Sequence, residues 1–247
     1  MRNITLSRLL DDAVAQHPEL KTLSQEILAH TEGPLPTSKK VFDVREGVSA
    51  LTGRLNLMLE GASNVITNVA GPTGSGKTSV VSTGLAAEVD GAQILSADHF
   101  YTGNTAMTAN AVPNWDHPAA VDLASANTAV QVLAAGERVQ IPIYSKKTSE
   151  PDGKQWIEPS KLLVVEGLFV LDGRMECSPG MRVYVHVPFV ECVRRRVIRD
   201  VLIRQLAGRD YKTELEYLWD VVREMHEEHV KPTMESADWV ISNATQR

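Results

Sequence analysis

Apolar residues recur at helical spacing along the first sixty positions. Leu6, Leu9, Leu10 and Val14 share one face, Leu20, Leu23 and Ile27 a second, and Val48, Leu51, Leu55 and Met58 a third. Pro18 separates the first two segments, and Gly33-Pro34-Leu35-Pro36-Thr37-Ser38 interrupts the pattern before the third. Residues 1–61 are therefore expected to form a helical extension beside a main domain over residues 62–247. Packing on that domain is the plain expectation; an oligomerisation or partner-binding arm is the alternative.

From Asn64 the periodicity changes. Short β-rich runs appear at 65–70, 92–96, 162–165, 182–187 and 239–241. Helical patterns at 119–135, 190–206 and 213–229 lie between them. Strands alternating with helices predict an α/β fold: a three-layer sandwich with a mostly parallel central sheet covered on both faces. Ligands bind such sheets beyond the carboxyl ends of the strands, so chemistry is sought there. The polar stretch 145–153 reads as an exposed loop between two short strands, at 139–144 and 155–158.

The first β-run ends in Gly71-Pro72-Thr73-Gly74-Ser75-Gly76-Lys77-Thr78, which fits G-x-x-x-x-G-K-[ST]. Glycines let the backbone curl until its N–H groups converge on phosphate oxygens, and the following helix aims its positive dipole end at the same anion. Lys77 would place a cation on the terminal phosphates, and the Thr78 hydroxyl could ligate Mg²⁺. An apolar strand before the loop and a helical run after it supply the context that a nucleotide-binding P-loop requires. Asp98 follows the second β-run, on the ligand side of the sheet. A carboxylate there can orient an acceptor hydroxyl and take its proton during phosphoryl transfer; the competing reading is a turn aspartate.

Composition narrows the partners. The 247 residues carry a formal net charge of −6, against the basic excess of a general nucleic-acid binder. Cys177 and Cys192 fit neither a zinc motif nor a CxxC pair. No apolar run is long enough to cross a bilayer, and Asp11 and Asp12 fall too early for a signal peptide. A cytoplasmic protein acting on a small molecule, with neither nucleic acid nor membrane as partner, is expected; a homo-oligomer is left open.

Several segments together resemble the uridine kinase, phosphoribulokinase and pantothenate kinase group. They are GPTGSGKTS, SADHFY (96–101), NWDHPAAVD (114–122), IPIY (141–144), VVEGLFVL (164–171), RRRVIRD (194–200) and VKPTMESADWVI (230–241), and they occur in the order seen in uridine kinases. The resemblance spans about residues 64–243 and leaves out the N-terminal extension. It implies an ATP- and Mg²⁺-dependent P-loop kinase. Gly71, Thr73, Gly74, Ser75, Gly76, Lys77, Thr78 and Ser79 would bind the nucleotide, with Arg195 from a lid helix. Asp98, Lys77 and Arg199 would carry catalysis. Asp98, Tyr101, Trp115, Asp116, Tyr144 and Arg196 would bind the acceptor, and Thr78 with Glu166 would hold Mg²⁺. The implied acceptor is a nucleoside such as uridine or cytidine; a sugar, pantothenate or another vitamin-like alcohol is the alternative. An ATP-dependent switch acting through residues 1–61 is the rival from another class.

Two features depart from the uridine kinase pattern. Ser149 stands five residues after Tyr144, where uridine kinases carry a histidine that helps read the pyrimidine, and the segment 199–209 is longer. The dense arginine set Arg194, Arg195, Arg196, Arg199 and Arg204 is expected to close over phosphates. His117 either fixes its loop or touches substrate. His226 and His229 are three apart rather than four, so they are expected to be core or surface histidines instead of zinc ligands. Trp156, Trp219 and Trp239 are expected to pack.

Overall fold

A computed structural model describes residues 4–205 and 208–244. Six strands form one parallel sheet: β1 (Lys40–Asp43), β2 (Val65–Ala70), β3 (Gln93–Ser96), β6 (Leu162–Gly167), β7 (Gly180–His186) and β8 (Trp239–Ser242), in the order β1-β8-β7-β2-β6-β3. The remaining strands, β4 (Val139–Ser145) and β5 (Glu150–Ile157), make a separate antiparallel hairpin. Helical segments around the sheet include α1 (Leu6–Gln16), α2 (Lys21–Ala29), α3 (Val44–Gly61), α4 (77–88), α5 (Asn104–Ala109), α6 (Leu123–Ala134), α7 (189–203) and α8 (211–230). The wider π-type turns of Lys77–Ser82 open α4, those of Ile198–Ile203 close α7, and further ones lie within α8.

Strand alternation divides the core into layers. From β2, Val65 and Val69 face α3 and α4, where Leu51, Leu55, Val81 and Leu85 are buried. Ile66 and Ala70 face the other way, onto Leu123, Ala126, Ala129, Val130 and Leu133 of α6. All residues of β2 and β6 are buried, as expected of central parallel strands. The expected three-layer α/β architecture is therefore present.

A third cluster joins the N-terminal helices to the far end of the chain. Leu9, Leu10, Ala13, Leu20 and Ile27 pack against Phe189, Val193, Val197, Leu215, Leu218 and Trp219 of α7 and α8. Helices α1 and α2 thus cover the face of the arginine-bearing helix.

Four expectations need correction. The border at 61/62 does not bound the sheet: Lys40–Asp43 is an edge strand paired with β8, and α3 packs on the sheet. Only Phe42 of this strand is buried, so it offers too little alternation to be recognised. The loop of the hairpin is also shorter than 145–153, because β5 begins at Glu150. Trp156 is exposed, its ring covered by the Arg138 guanidinium at 4.5 Å, whereas Trp219 is buried. The expected helix at 190–206 ends at Ile203, and Leu206 lies outside the described residues.

Candidate active site

The phosphate loop leaves β2 at Ala70 and enters α4 at Lys77. Gly71 and Gly76 have φ of +155° and +87°. A Cβ at Gly71 would stand 2.4 Å from the Val185 carbonyl oxygen, and one at Gly76 2.5 Å from Asn243 Nδ2. Only glycine satisfies both the backbone angle and the space at Gly76. The Lys77 side chain is buried, with Nζ 3.5 Å from the Pro72 carbonyl and no carboxylate at ion-pair distance among the described residues. A buried ammonium is costly unless paired, so this loop fits an anion. Thr73 and Gly74 are half-buried, Ser75 is buried, and Ser79 is exposed one residue into the helix after Thr78.

Thr78 Oγ1 donates to Glu166 Oε2 at 2.9 Å. Glu166 is buried in β6, in register with Val69 of β2 and Ser96 of β3. The topology thus brings the two expected Mg²⁺ ligands together, and a hydroxyl beside a carboxylate suits a hard cation with oxygen ligands.

Asp98 lies in the turn after β3, where the Ser96 hydroxyl accepts from its N–H at 3.3 Å. Lys146 from the β4–β5 hairpin donates to Asp98 Oδ2 at 3.1 Å. His99 senses both Asp98 and Glu166. Burial lowers its pKa, with those two carboxylates pulling upward and Lys146 adding to the lowering. Asp98 and Glu166 therefore both act on the same histidine.

Beside it Tyr101, Trp115 and Tyr144 form a ring cluster with centroids 5.3 to 5.9 Å apart. Burial, then the fields of Asp98 and Asp116, push the Tyr101 phenol well above its ordinary value. Burial also raises Tyr144, against a hydrogen bond with Ser149 that pulls the other way. A cleft of about 600 Å³ shares Tyr101 with this trio and is lined further by Ser125, Pro142 and Lys154, a volume in the range of small-molecule sites.

The arginines of α7 divide by partner. Arg195 donates to the carbonyls of Gly74 (3.2 Å), Ser75 (3.4 Å) and Asn243 (2.7 Å) and to Glu191 (2.7 Å). It braces the carbonyl side of the phosphate loop, opposite in polarity to the amides an anion needs. Arg196, expected to bind the acceptor, is buried among Glu214 (3.1 Å), Asp200 (3.5 Å) and Asp116 (3.6 Å), with Thr73 Oγ1 at 3.5 Å. Burial pulls its pKa down, and the fields of Asp116, Glu214 and Asp200 outweigh that and leave it raised. Asp116 is thereby committed to Arg196 and to the Tyr217 hydroxyl at 3.0 Å. Arg199 forks onto Asp200, with both contacts at 2.7 Å. Arg194 holds Glu191 and the Ile4 carbonyl at 2.7 Å. The partners of these arginines are thus carbonyls and carboxylates of the protein, with the Thr73 hydroxyl the one loop side chain among the contacts given above.

His117 Nδ1 accepts from Ala119 N–H at 3.1 Å and packs edge-on against His229, which favours the loop-fixing role. His226 is buried and stacks on Phe189; burial lowers its pKa to about 4. The described residues hold no cluster of three or more histidine, cysteine or acidic ligands.

Several contributors were not foreseen. Asn243 donates to the Ser75 carbonyl at 2.7 Å. It follows a strand's carboxyl end, the place where the sheet directs attention, so its position was a usable signal. Lys146, Asp200, Glu214 and Tyr217 carried none, because each looks like an ordinary polar position of a loop or helix.

Comparison with known proteins adds the family. The Phosphoribulokinase / Uridine kinase family matches residues 65–247. The uridine kinase of Vibrio cholerae serotype O1 is 31% identical over 193 residues, covering 74% of this chain and 89% of the relative. That of Bacillus pumilus is 31% identical over 188 residues, covering 74% and 88%. Among solved structures, D-glycerate 3-kinase from Cryptococcus neoformans var. grubii aligns with a TM-score of 0.57 at 14% identity, over 81% of this chain and 95% of that one.

Proposed function

The chain belongs to the phosphoribulokinase and uridine kinase family, and from that premise we propose that it transfers the γ-phosphoryl group of ATP to a hydroxyl of a small molecule. The observation that carries the reading is the Thr78 hydroxyl on the Glu166 carboxylate at 2.9 Å, beside the buried Lys77 at the mouth of a glycine loop. Loop amides and Lys77 would hold the phosphates. Thr78 and Glu166 would hold Mg²⁺, which supplies charge neutralisation on the transferring group when bound.

Asp98 would orient the acceptor hydroxyl. Its carboxylate takes the hydroxyl proton as the acceptor oxygen bonds to the γ-phosphorus and the bond to the bridging oxygen breaks, releasing ADP. The expected nucleotide contact of Arg195 and acceptor contact of Arg196 are better replaced by support roles, since both are engaged by protein partners. Arg199 is half-exposed on a single carboxylate and is the α7 arginine best able to reach a bound phosphate by side-chain rotation.

For the acceptor, the relatives point to a nucleoside such as uridine or cytidine. One observation favours the alternative, a sugar or vitamin-like alcohol: Ser149 replaces the expected histidine, adopts φ of +57°, and is occupied with Tyr144. The test is incubation with ATP, Mg²⁺ and panels of nucleosides, sugars and pantothenate, reading a mass gain of one phosphoryl group. No gain on any acceptor, with ATP bound, would leave only nucleotide binding and return the switch reading to the front.

A further inference from the structure

The hairpin tip carries a cation that the proposed chemistry does not use. Lys146 lies 3.1 Å from Asp98 Oδ2, and its side chain is 66% exposed against 38% for Asp98. No other carboxylate pairs with it among the described residues. The tip itself is fixed. Ser149 N–H donates to the Ser145 carbonyl at 2.8 Å, Asn104 N–H donates to the Ser149 carbonyl at 2.9 Å, and Glu150 accepts from the Thr105 amide and hydroxyl at 2.9 and 2.6 Å. Tyr144 of the ring cluster sits two residues before Lys146, so one rigid tip presents both an aromatic face and an ammonium to the acceptor.

The pair with Asp98 works against catalysis. The ammonium occupies Asp98 Oδ2, one of the two oxygens that could accept the acceptor's hydroxyl, and so competes with it. An exposed pair of this kind is weak, so a second anion can take the ammonium away. A neutral nucleoside offers none. An alcohol bearing its own carboxylate or phosphate does: it binds Lys146 by a charge-assisted hydrogen bond and uncovers Asp98 in the same step.

We propose that Lys146 is a specificity-determining residue that selects an acceptor carrying an anionic group near the phosphorylated hydroxyl, and that the Lys146–Asp98 pair keeps the carboxylate covered until such an acceptor arrives. This rests on the kinase reading and narrows its acceptor. In the uncovered state without acceptor, water takes the acceptor's place: its oxygen bonds to the γ-phosphorus, Asp98 takes its proton, and ADP and phosphate leave.

The experiment measures ADP release by the full chain with ATP and Mg²⁺ for wild type, Lys146→Met and Lys146→Arg. Three acceptor sets are used: neutral alcohols (uridine, cytidine, fructose), hydroxycarboxylates (glycerate, pantothenate) and sugar phosphates (ribose 5-phosphate, fructose 6-phosphate). The wild type is expected to prefer one anionic set, which also tells carboxylate from phosphate. Lys146→Met is expected to lower kcat/KM for that set by roughly 10- to 100-fold, chiefly through KM. Lys146→Arg should restore it, and acceptor-free ADP release should rise several-fold in Lys146→Met. A neutral acceptor leading in the wild type, with kcat/KM indifferent to Lys146→Met, overturns the inference and leaves the kinase standing. Unchanged acceptor-free release overturns the covering role. No turnover with any set overturns the kinase reading and this one with it.

Discussion

Replacing Arg196 with methionine separates a structural role from a phosphate-binding one. The guanidinium is buried between Asp116, Asp200 and Glu214. Loss of the cation does not expose these groups equally. Glu214 keeps Arg209, and Asp200 keeps Arg199 and Arg204. Among the described residues, the Asp116 carboxylate keeps only the Tyr217 hydroxyl. One buried charge is thus left uncompensated, and removal of one partner of a buried pair costs about 3–5 kcal/mol. The surviving partners of the other two acids place this case near the lower end, about 3 kcal/mol.

That is a large part of the 5–15 kcal/mol typical of a folded domain, and it corresponds to a fall in Tm of roughly 6–12 °C for a chain of this length. The assay is urea unfolding at pH 7 with linear extrapolation, for Arg196→Met, Asp116→Asn and the double variant. The double variant should lose less than the sum of the singles, because Asp116→Asn removes the stranded charge. A loss below about 1 kcal/mol, together with a raised KM for ATP or acceptor, would refute the buried-network reasoning and restore Arg196 to the reacting groups.

Three further outcomes follow from the site. Asp98→Asn should lower kcat by about 10²- to 10⁴-fold while a nucleotide titration shows ATP binding preserved; wild-type turnover would remove Asp98 from the reaction. Glu166→Gln should raise the Mg²⁺ concentration needed for half-maximal activity by roughly 10- to 100-fold, and an unchanged Mg²⁺ profile would place the metal elsewhere. His226 is held neutral with a pKa of about 4, against an ordinary value of 6.5. The unfolded chain therefore binds more protons in the window between, and stability is full above pH 6.5 and falls as pH drops toward 4. At pH 5 this one group costs roughly 2 kcal/mol. His226→Gln should flatten that slope in urea melts, and an identical slope in both proteins would assign the pH dependence to other groups.

The sheet and its phosphate loop were legible because they depend on local signals: β-rich runs, a glycine spacing and a lysine before a hydroxyl. Glu166 came only through the resemblance, as the acid of VVEGLFVL, and the structure places it on the Thr78 hydroxyl. The edge strand at Lys40–Asp43 was not, since a strand that buries only Phe42 leaves little alternation to read. The roles of Arg195 and Arg196 escaped for a different reason. A run of arginines signals charge density, but whether each meets a carbonyl, a carboxylate or a phosphate depends on residues far away in the chain, such as Asn243, Asp116 and Glu214.

Those distant partners tie the loop to the far ends of the chain. Glu32, in the link between α2 and β1, accepts from the Phe189 N–H at the start of α7. Apolar packing from α1 and α2 covers the same helix. Helix α7 in turn lies against Gly74 and sends Arg195 to the Gly74 and Ser75 carbonyls, while Asn243 holds Ser75 from the end of β8. With the loop's carbonyls tied from behind, its N–H groups have little freedom to turn away from the mouth. Dipoles fixed in advance stabilise charge without reorganising during the reaction. Helices α1 and α2 lie outside the matched family region and pack on the helix that holds the Gly74 and Ser75 carbonyls.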